Sequence, residues 1–338
     1  MERRRLGRSP VEVTTLSFGG AAIGGLFAPV SDADATAAVR RARERGIGYF
    51  DTAPHYGAGR SERRLGAALT DAPAGADRSG APAGASPTGA SAVTGASAGA
   101  VVTGEYVLST KVGRLLVPLG PGEPPEPEGF ADPPPYRRVW DWSADGVRRS
   151  LEESLKRLGA DRVDVVYLHD PDEHEEEVYT TAYPALAALR DEGVVGAIGA
   201  GMNQTPMLTR FVERLDLDVV LCAGRYTLLD RSAEEDLFPA CARRGTSVVA
   251  GGVYNSGLLA GGTTYDYAPA PPELLERVAR LERICAEHGV PLRAAALRFP
   301  LRHPAVASVV VGCRSAAEVD DNCDLFERDI PEALWEAL

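Results

Sequence analysis

The chain has 338 residues, 44% of them hydrophobic and 25% charged, with a net charge of −12. That is ample for a large buried core, and it excludes a disordered or low-complexity chain. The acidic balance argues against nucleic acid and anionic membrane as partners, and no apolar run approaches the roughly 20 residues of a membrane span.

The basic start "MERRRLGRSPVEV" has no apolar stretch behind it, so no secretory leader is expected. A hairpin is predicted over "RRLGRSPVEVT". Short apolar, β-branched runs then recur at 14–20, 47–53, 106–113, 163–170, 195–201, 218–226, 246–254 and 306–312. They lack clean alternation, as strands buried on both faces of a parallel sheet do. Amphipathic segments lie between them. Ser31 is the predicted N-cap of one, and Ser143 and Gly159 bracket another whose stripe is Val147, Leu151, Leu155 and Leu158. Eight such repeats predict a (β/α)8 TIM barrel spanning 1–338 as a single domain. A doubly wound sheet is the alternative, but no Gly-x-Gly-x-x-Gly follows an early strand.

Two segments break the pattern. Between 71 and 100, 26 of 30 residues are Ala, Gly, Ser, Thr or Pro, which predicts a flexible surface insertion over 71–104. Residues 117–135 are proline-rich and follow a strand, so they belong to the catalytic face as a candidate substrate wall. The five cysteines form no Cys-x-x-Cys pair, so neither a disulfide framework nor a metal site is expected, and a reducing cytoplasm fits them.

In a barrel, the C-terminal strand ends converge on one site. Those ends carry Asp51 and Tyr56, Lys111, and His169. Alone, Asp51 is a turn residue, Tyr56 a packing aromatic and His169 a core histidine. Together they make a proton-transfer set. An ammonium near a phenol is expected to lower its pKa, a carboxylate keeps that ammonium charged, and an imidazole donates to a substrate oxygen.

"YFDTAPHYGAGRSERRLG", "STKVG" and "VYLHDPD" resemble the aldo-keto reductase family over most of the chain. The resemblance implies a catalytic tetrad of Asp51, Tyr56, Lys111 and His169, and hydride transfer to or from a nicotinamide without a metal. It also implies that "VVVGCRSAAEVDDN" holds the adenosine phosphate, through Gly312, Cys313, Arg314, Ser315, Glu318 and Asn322. Asn203 is the candidate for the carboxamide. Val253, Tyr254, Asn255, Ser256, Gly257 and Leu258 are the candidate pyrophosphate cradle. Gly251 stands where an aromatic usually stacks on the nicotinamide. The cofactor is NAD or NADP: Glu318 repels a 2′-phosphate and favours NAD, and Arg314 opposes that.

"HDPDE" and "GRYTLLD" are similar to a subgroup of sugar and pyridoxal dehydrogenases within the family. The implied reaction oxidises a cyclic sugar hemiacetal to its lactone, or reduces a carbonyl in reverse. His55 and Asp170 are the candidate substrate contacts. The chain stops at "PEALWEAL" without a long closing loop, which favours a small polar substrate. A monomer or small homo-oligomer is expected. Two other readings stay open: a barrel lyase using Lys111 as a Schiff base, and a cofactor-binding regulatory subunit of the same fold.

Overall fold

A computed structural model describes residues 1–70 and 106–338. The predicted insertion at 71–104 lies outside the described residues. Eight parallel strands close into a barrel: β1 (Leu16–Gly19), β2 (Tyr49–Asp51), β3 (Val107–Val112), β4 (Val165–His169), β5 (Ala197–Met202), β6 (Val219–Ala223), β7 (Ser247–Gly251) and β8 (Val306–Gly312). Each pairs with its neighbours in sequence, and β8 returns to β1 through Val309–Leu16 and Gly312–Gly19. Seven lie within the predicted apolar runs, and β5 runs one residue past its run, to Met202.

Strand residues alternate between the barrel interior and the helix-facing side. Tyr49, Tyr167, Val219, Leu221 and Val249 fill the interior, and Leu6, Val11 and Val13 of the N-terminal hairpin plug its lower end. Phe50, Val166, Leu168, Ile198 and Val220 face outward into the larger core under the helices. The hairpin itself pairs Arg3–Arg5 with Glu12–Thr14.

The surrounding helices are α1 (Asp32–Glu44), α2 (Arg60–Leu69), α3 (Ala144–Leu158), α4 (Tyr183–Asp191), α5 (Thr205–Arg214), α6 (Leu237–Arg244), α7 (Pro272–Glu287), α8 (Leu292–Arg298), α9 (Ala316–Glu327) and α10 (Glu332–Ala337). Ser31 and Ser143 cap α1 and α3 as predicted, each accepting a backbone N–H at 3.0 Å, and Gly159 ends α3 at φ 61°.

Two of the elements not foreseen bear on the barrel. One is α8, which follows directly on α7 after "HGVP". The other is a hairpin pairing Arg114–Pro118 with Tyr136–Trp140, so the proline-rich stretch between is its long tip. Prolines have no N–H to offer, which confines the ladder to the two flanks. The tip folds back over the barrel mouth, where Ala131 N–H donates to Gly25 O and Phe27 N–H to Gly129 O. Among the described residues, no helix is long and apolar enough to cross a membrane.

Candidate active site

The four residues singled out as a proton-transfer set meet at the C-terminal ends of β2, β3 and β4. Asp51 ends β2 and His169 ends β4, while Lys111 is one residue short of the end of β3. The turn after β2 carries Tyr56. Lys111 is 1% exposed and Asp51 2%. The Lys111 ammonium donates to Asp51 Oδ2 at 2.6 Å and to Thr52 O at 2.9 Å. Ser109 Oγ donates to the other carboxylate oxygen at 2.7 Å. A buried pair of this kind needs further hydrogen bonds to offset its desolvation, and here both carboxylate oxygens and two of the three ammonium protons have partners. Lys111 Nζ lies 4.8 Å from the centroid of the Tyr56 ring.

The Tyr56 and His169 rings meet edge to face, 5.7 Å apart at 89°. The electrostatics differ from the expectation for Tyr56. Its pKa lies well above the ordinary tyrosine value, not below it. Burial is the largest cause, and the Asp51 and Asp170 carboxylates add to it. The lysine does not reverse this, because Asp51 sits closer to the ammonium than the phenol does and offsets its charge. His169 is held well below its ordinary value by burial, then by Arg114, Lys111 and His55. The resting pair is therefore phenol and neutral imidazole.

His55 joins them, its ring 5.7 Å from His169 and 5.3 Å from Phe130. Burial and three nearby cations push its pKa down to about 2, and Nδ1 makes no hydrogen bond although Glu128 Oε2 is 3.2 Å away. Phe130 comes from the hairpin tip and also flanks Tyr56 at 6.1 Å, so the proline-rich stretch does wall this mouth. Asp170, expected to be open to a substrate hydroxyl, instead accepts from Arg114 Nη2 at 3.1 Å. Arg114 was not singled out in the sequence. The signal was present in "STKVGR", an arginine directly beyond a buried strand carrying the lysine.

On the other side of the mouth, β8 ends at Gly312 and α9 begins under a Ser315 cap, with Glu318 N–H donating to Ser315 Oγ at 3.2 Å. Glu318 and Arg314 bind each other. The carboxylate accepts from the Arg314 backbone N–H at 2.8 Å and from its guanidinium at 3.0 and 2.8 Å. Asn322 is turned inward: its oxygen accepts from Tyr254 Oη at 2.8 Å, and its amide lies 3.3 Å from the buried Cys313 Sγ. Tyr254 is thereby pinned beside α9, away from Gly251, and does not supply the missing aromatic there.

Beyond β7, Gly252, Asn255, Ser256 and Gly257 all have positive φ. Non-glycine residues enter that region at a cost, and such clustering belongs to ligand clamps. Asn255 is 2% exposed and its Oδ1 has no partner. At Gly257 and Gly261 a side chain would meet open space. A strained loop with an orphaned buried acceptor and open backbone fits a cradle for a dinucleotide. Asn203 follows β5, and its carbonyl accepts from Arg225 Nε at 3.0 Å. Arg225 also pairs with Asp230 and Asp266, tying the loops after β5, β6 and β7 together. Next to Asp266, Tyr267 (φ 65°) meets Phe27 (φ 64°) at 5.8 Å, joining the loops after β7 and β1.

A cleft of about 430 Å³ lies far from these residues, lined by Arg4, Thr15, Arg298, Arg302, Phe326 and Trp335. Arg302 pairs there with Glu332 and Arg4 with Glu2, and Arg298 donates to Phe326 O.

Residues 15–338 match the aldo/keto reductase family. The chain is 41% identical to a D-threo-aldose 1-dehydrogenase of Pseudomonas sp, over 96% of this chain and 93% of that protein. It is 39% identical to a pyridoxal 4-dehydrogenase of Microbacterium luteolum, over 100% of this chain and 96% of that protein. Among solved structures, an aldo-keto reductase of Bacillus halodurans in its holo form superposes with a TM-score of 0.70 at 25% identity, covering 99% of this chain and 94% of that one. The chain belongs to the aldo/keto reductase family and is an NAD(P)-dependent oxidoreductase that interconverts carbonyl and alcohol.

Proposed function

We propose that the chain oxidises the hemiacetal carbon of a small sugar to the lactone, with Tyr56, His169, Lys111 and Asp51 as its catalytic residues. The observation that carries this is the buried Lys111–Asp51 pair at 2.6 Å lying under Tyr56, with His169 edge-on to the phenol. The dehydrogenases at 41% and 39% identity are named for an aldose and for pyridoxal, both aldehyde-level compounds, which supports this substrate level.

A dinucleotide bound by the loops after β7 and β8 would supply the hydride chemistry, as acceptor in oxidation and donor in reduction. Tyr56 Oη takes the hydroxyl proton in oxidation and returns it in reduction. His169 donates a hydrogen bond to the same oxygen. Lys111, fixed by Asp51 and Thr52 O, holds the tyrosine ring in place. His55 and Phe130 form the apolar side of the substrate space. Asp170 contributes its charge to Arg114, so any bond it makes to a sugar hydroxyl is secondary.

Val253, Tyr254, Asn255, Ser256, Gly257 and Leu258 would hold the pyrophosphate. Gly312, Cys313, Arg314, Ser315 and Glu318 would hold the adenosine end beside Asn322, and Asn203 the carboxamide. We read the preference as NAD. The Glu318 carboxylate, in the first turn of α9, already takes the Arg314 backbone N–H and its Nε and Nη2 donors, groups a 2′-phosphate would need. The net charge of −12 and five free, buried cysteines support a small-molecule enzyme of the reducing cytoplasm, acting as a monomer or small homo-oligomer.

A panel of aldoses, polyols, pyridoxal and simple aldehydes with NAD and NADP tests this reading, with lactone identified as product. Turnover confined to simple aldehydes would overturn the sugar assignment. A Tyr56→Phe variant with undiminished rate would overturn the catalytic one.

A further inference from the structure

Arg114 lies where the chain leaves β3. Gly113 makes this possible: its φ is +109°, and a Cβ there would meet the Trp142 ring at 2.2 Å. The chain turns against that indole and sends Arg114 back across the barrel mouth. Its guanidinium lies 4.2 Å from the centroid of Trp140, which fixes its plane. One arm donates to Asp170 Oδ2 at 3.1 Å. The other, Nη1, lies 3.3 Å from His169 Nδ1. Asp170 itself has φ +45°, a conformation outside the common regions, and its N–H donates to Gly201 O.

A guanidinium has donors and no acceptor. The His169 nitrogen facing it must therefore present a lone pair. A neutral imidazole carries one proton, which leaves that proton on Nε2. The charged and titratable groups around the ring agree with a neutral state. Arg114 comes from the hairpin, Lys111 from β3, and His55 and Tyr56 from the turn after β2. Asp170 follows β4, with Oδ2 3.4 Å from Nε2. Lys111 is matched by Asp51, and Asp170 by Arg114. His55 is neutral. Asp170 would favour an imidazolium were its charge not taken up by the guanidinium.

We propose that Arg114 is a positioning residue: by donating to His169 Nδ1 it fixes the imidazole as the neutral Nε2–H tautomer, so that an N–H faces the substrate oxygen served by Tyr56. This rests on the proposed function for its consequence in catalysis, but not for the tautomer itself.

The test is ¹⁵N NMR of histidine-labelled full-length protein without substrate. The chain has five histidines, and His169→Gln assigns the relevant signal. The wild type is expected to show a neutral Nε2–H imidazole at His169 from about pH 5 to 8. In Arg114→Met, the signal is expected to titrate within that range and to mix tautomers. Turnover should fall roughly 10- to 100-fold while dinucleotide affinity holds, less than the roughly 10²–10³-fold lost with an aligned donor itself, because the misplaced tautomer is only part of the mixture. Arg114→Lys, also a pure donor, should restore part of both. Asp170→Asn removes the ion pair but keeps the contact to Nδ1, so it should keep the tautomer. A merely structural ion pair predicts the reverse. An Nδ1–H tautomer in the wild type overturns the proposal, as does an unchanged His169 spectrum in folded Arg114→Met. If Arg114→Met does not fold, the wild-type tautomer and Arg114→Lys decide. Because the spectrum needs no turnover, a wrong substrate assignment leaves it intact, and a wrong tautomer leaves the Tyr56→Phe result intact.

Discussion

The Lys111–Asp51 pair makes a prediction about stability that is separate from activity. Lys111→Met removes an ammonium that is 1% exposed and bonded to Asp51 Oδ2 at 2.6 Å and Thr52 O at 2.9 Å. What remains is a buried carboxylate whose named support is Ser109 Oγ at 2.7 Å. Breaking a buried pair from one side costs about 3–5 kcal/mol, because the other charge is left uncompensated. The freed Thr52 carbonyl adds about 1 kcal/mol. Asp51→Asn should cost a similar amount by stranding the ammonium. The double variant, Lys111→Met with Asp51→Asn, strands no charge, and the introduced carboxamide can keep a bond to Ser109. It should therefore lie within about 2 kcal/mol of the wild type, well above the sum of the singles. Chemical denaturation of the four proteins measures the cycle, and turnover is assayed on the same samples. All three variants should be nearly inactive, including the stable double. Single variants losing less than about 1 kcal/mol, as exposed pairs do, would refute the reasoning. So would a double as unstable as the sum.

Other expectations follow from single sites. His55 has its native pKa depressed to about 2, so as pH falls below about 6.5 the unfolded chain takes up a proton that the native state refuses. Stability present above pH 6.5 should therefore be lost on acidification, by about 2 kcal/mol between pH 7 and 5 through this residue. His55→Asn should flatten that slope in denaturation series. Glu318→Gln frees the Arg314 guanidinium and removes a carboxylate from the start of α9. The ratio of kcat/KM for NADP over NAD should rise about tenfold, and an unchanged ratio would place cofactor choice elsewhere. Gly66→Ala lies inside α2, where alanine ordinarily gains about 1 kcal/mol. Here the added Cβ would lie 1.9 Å from Leu158 O, so a thermal melt should show a lower Tm, not a higher one.

The barrel was legible because its strands are buried on both faces, which leaves continuous apolar runs in the sequence. The meeting of Asp51, Tyr56, Lys111 and His169 was legible because their spacing follows strand order. Other features were not, for physical reasons. The hairpin Arg114–Pro118 with Tyr136–Trp140 joins flanks separated by a 17-residue proline-rich tip, and no local signal pairs them. Read alone, Arg314 and Glu318 point to opposite cofactors. Whether a side chain binds a ligand or its own neighbour four residues on is decided by rotamers, and here they bind each other. Tyr254 belongs to the candidate cradle by its place after β7, but no local signal shows that its hydroxyl donates to Asn322, 68 residues away. The clasp of Phe27 and Tyr267 required both residues to adopt positive φ, which no aromatic side chain announces.

The error over Tyr56 carries the furthest consequence. One ammonium beside one phenol would favour the phenolate. The folded site sets two cations, Lys111 and Arg114, each matched by its own carboxylate, around a buried ring. The cations are largely neutralised before they reach the phenol, and burial then dominates, raising the Tyr56 pKa well above its ordinary value. The proton therefore stays on Tyr56 at neutral pH. Carbonyl reduction uses that form directly, so its kcat/KM should be flat across neutral pH. Alcohol oxidation needs the deprotonated form, whose fraction grows about tenfold per pH unit below the pKa. With the dinucleotide saturating, kcat/KM for oxidation should rise through neutral and alkaline pH without levelling off. Measuring both directions on one preparation separates this from a general loss of folded enzyme, which would depress both. A plateau for oxidation near neutrality would mean that the lysine does reach the phenol, and that the two carboxylates do not shield it.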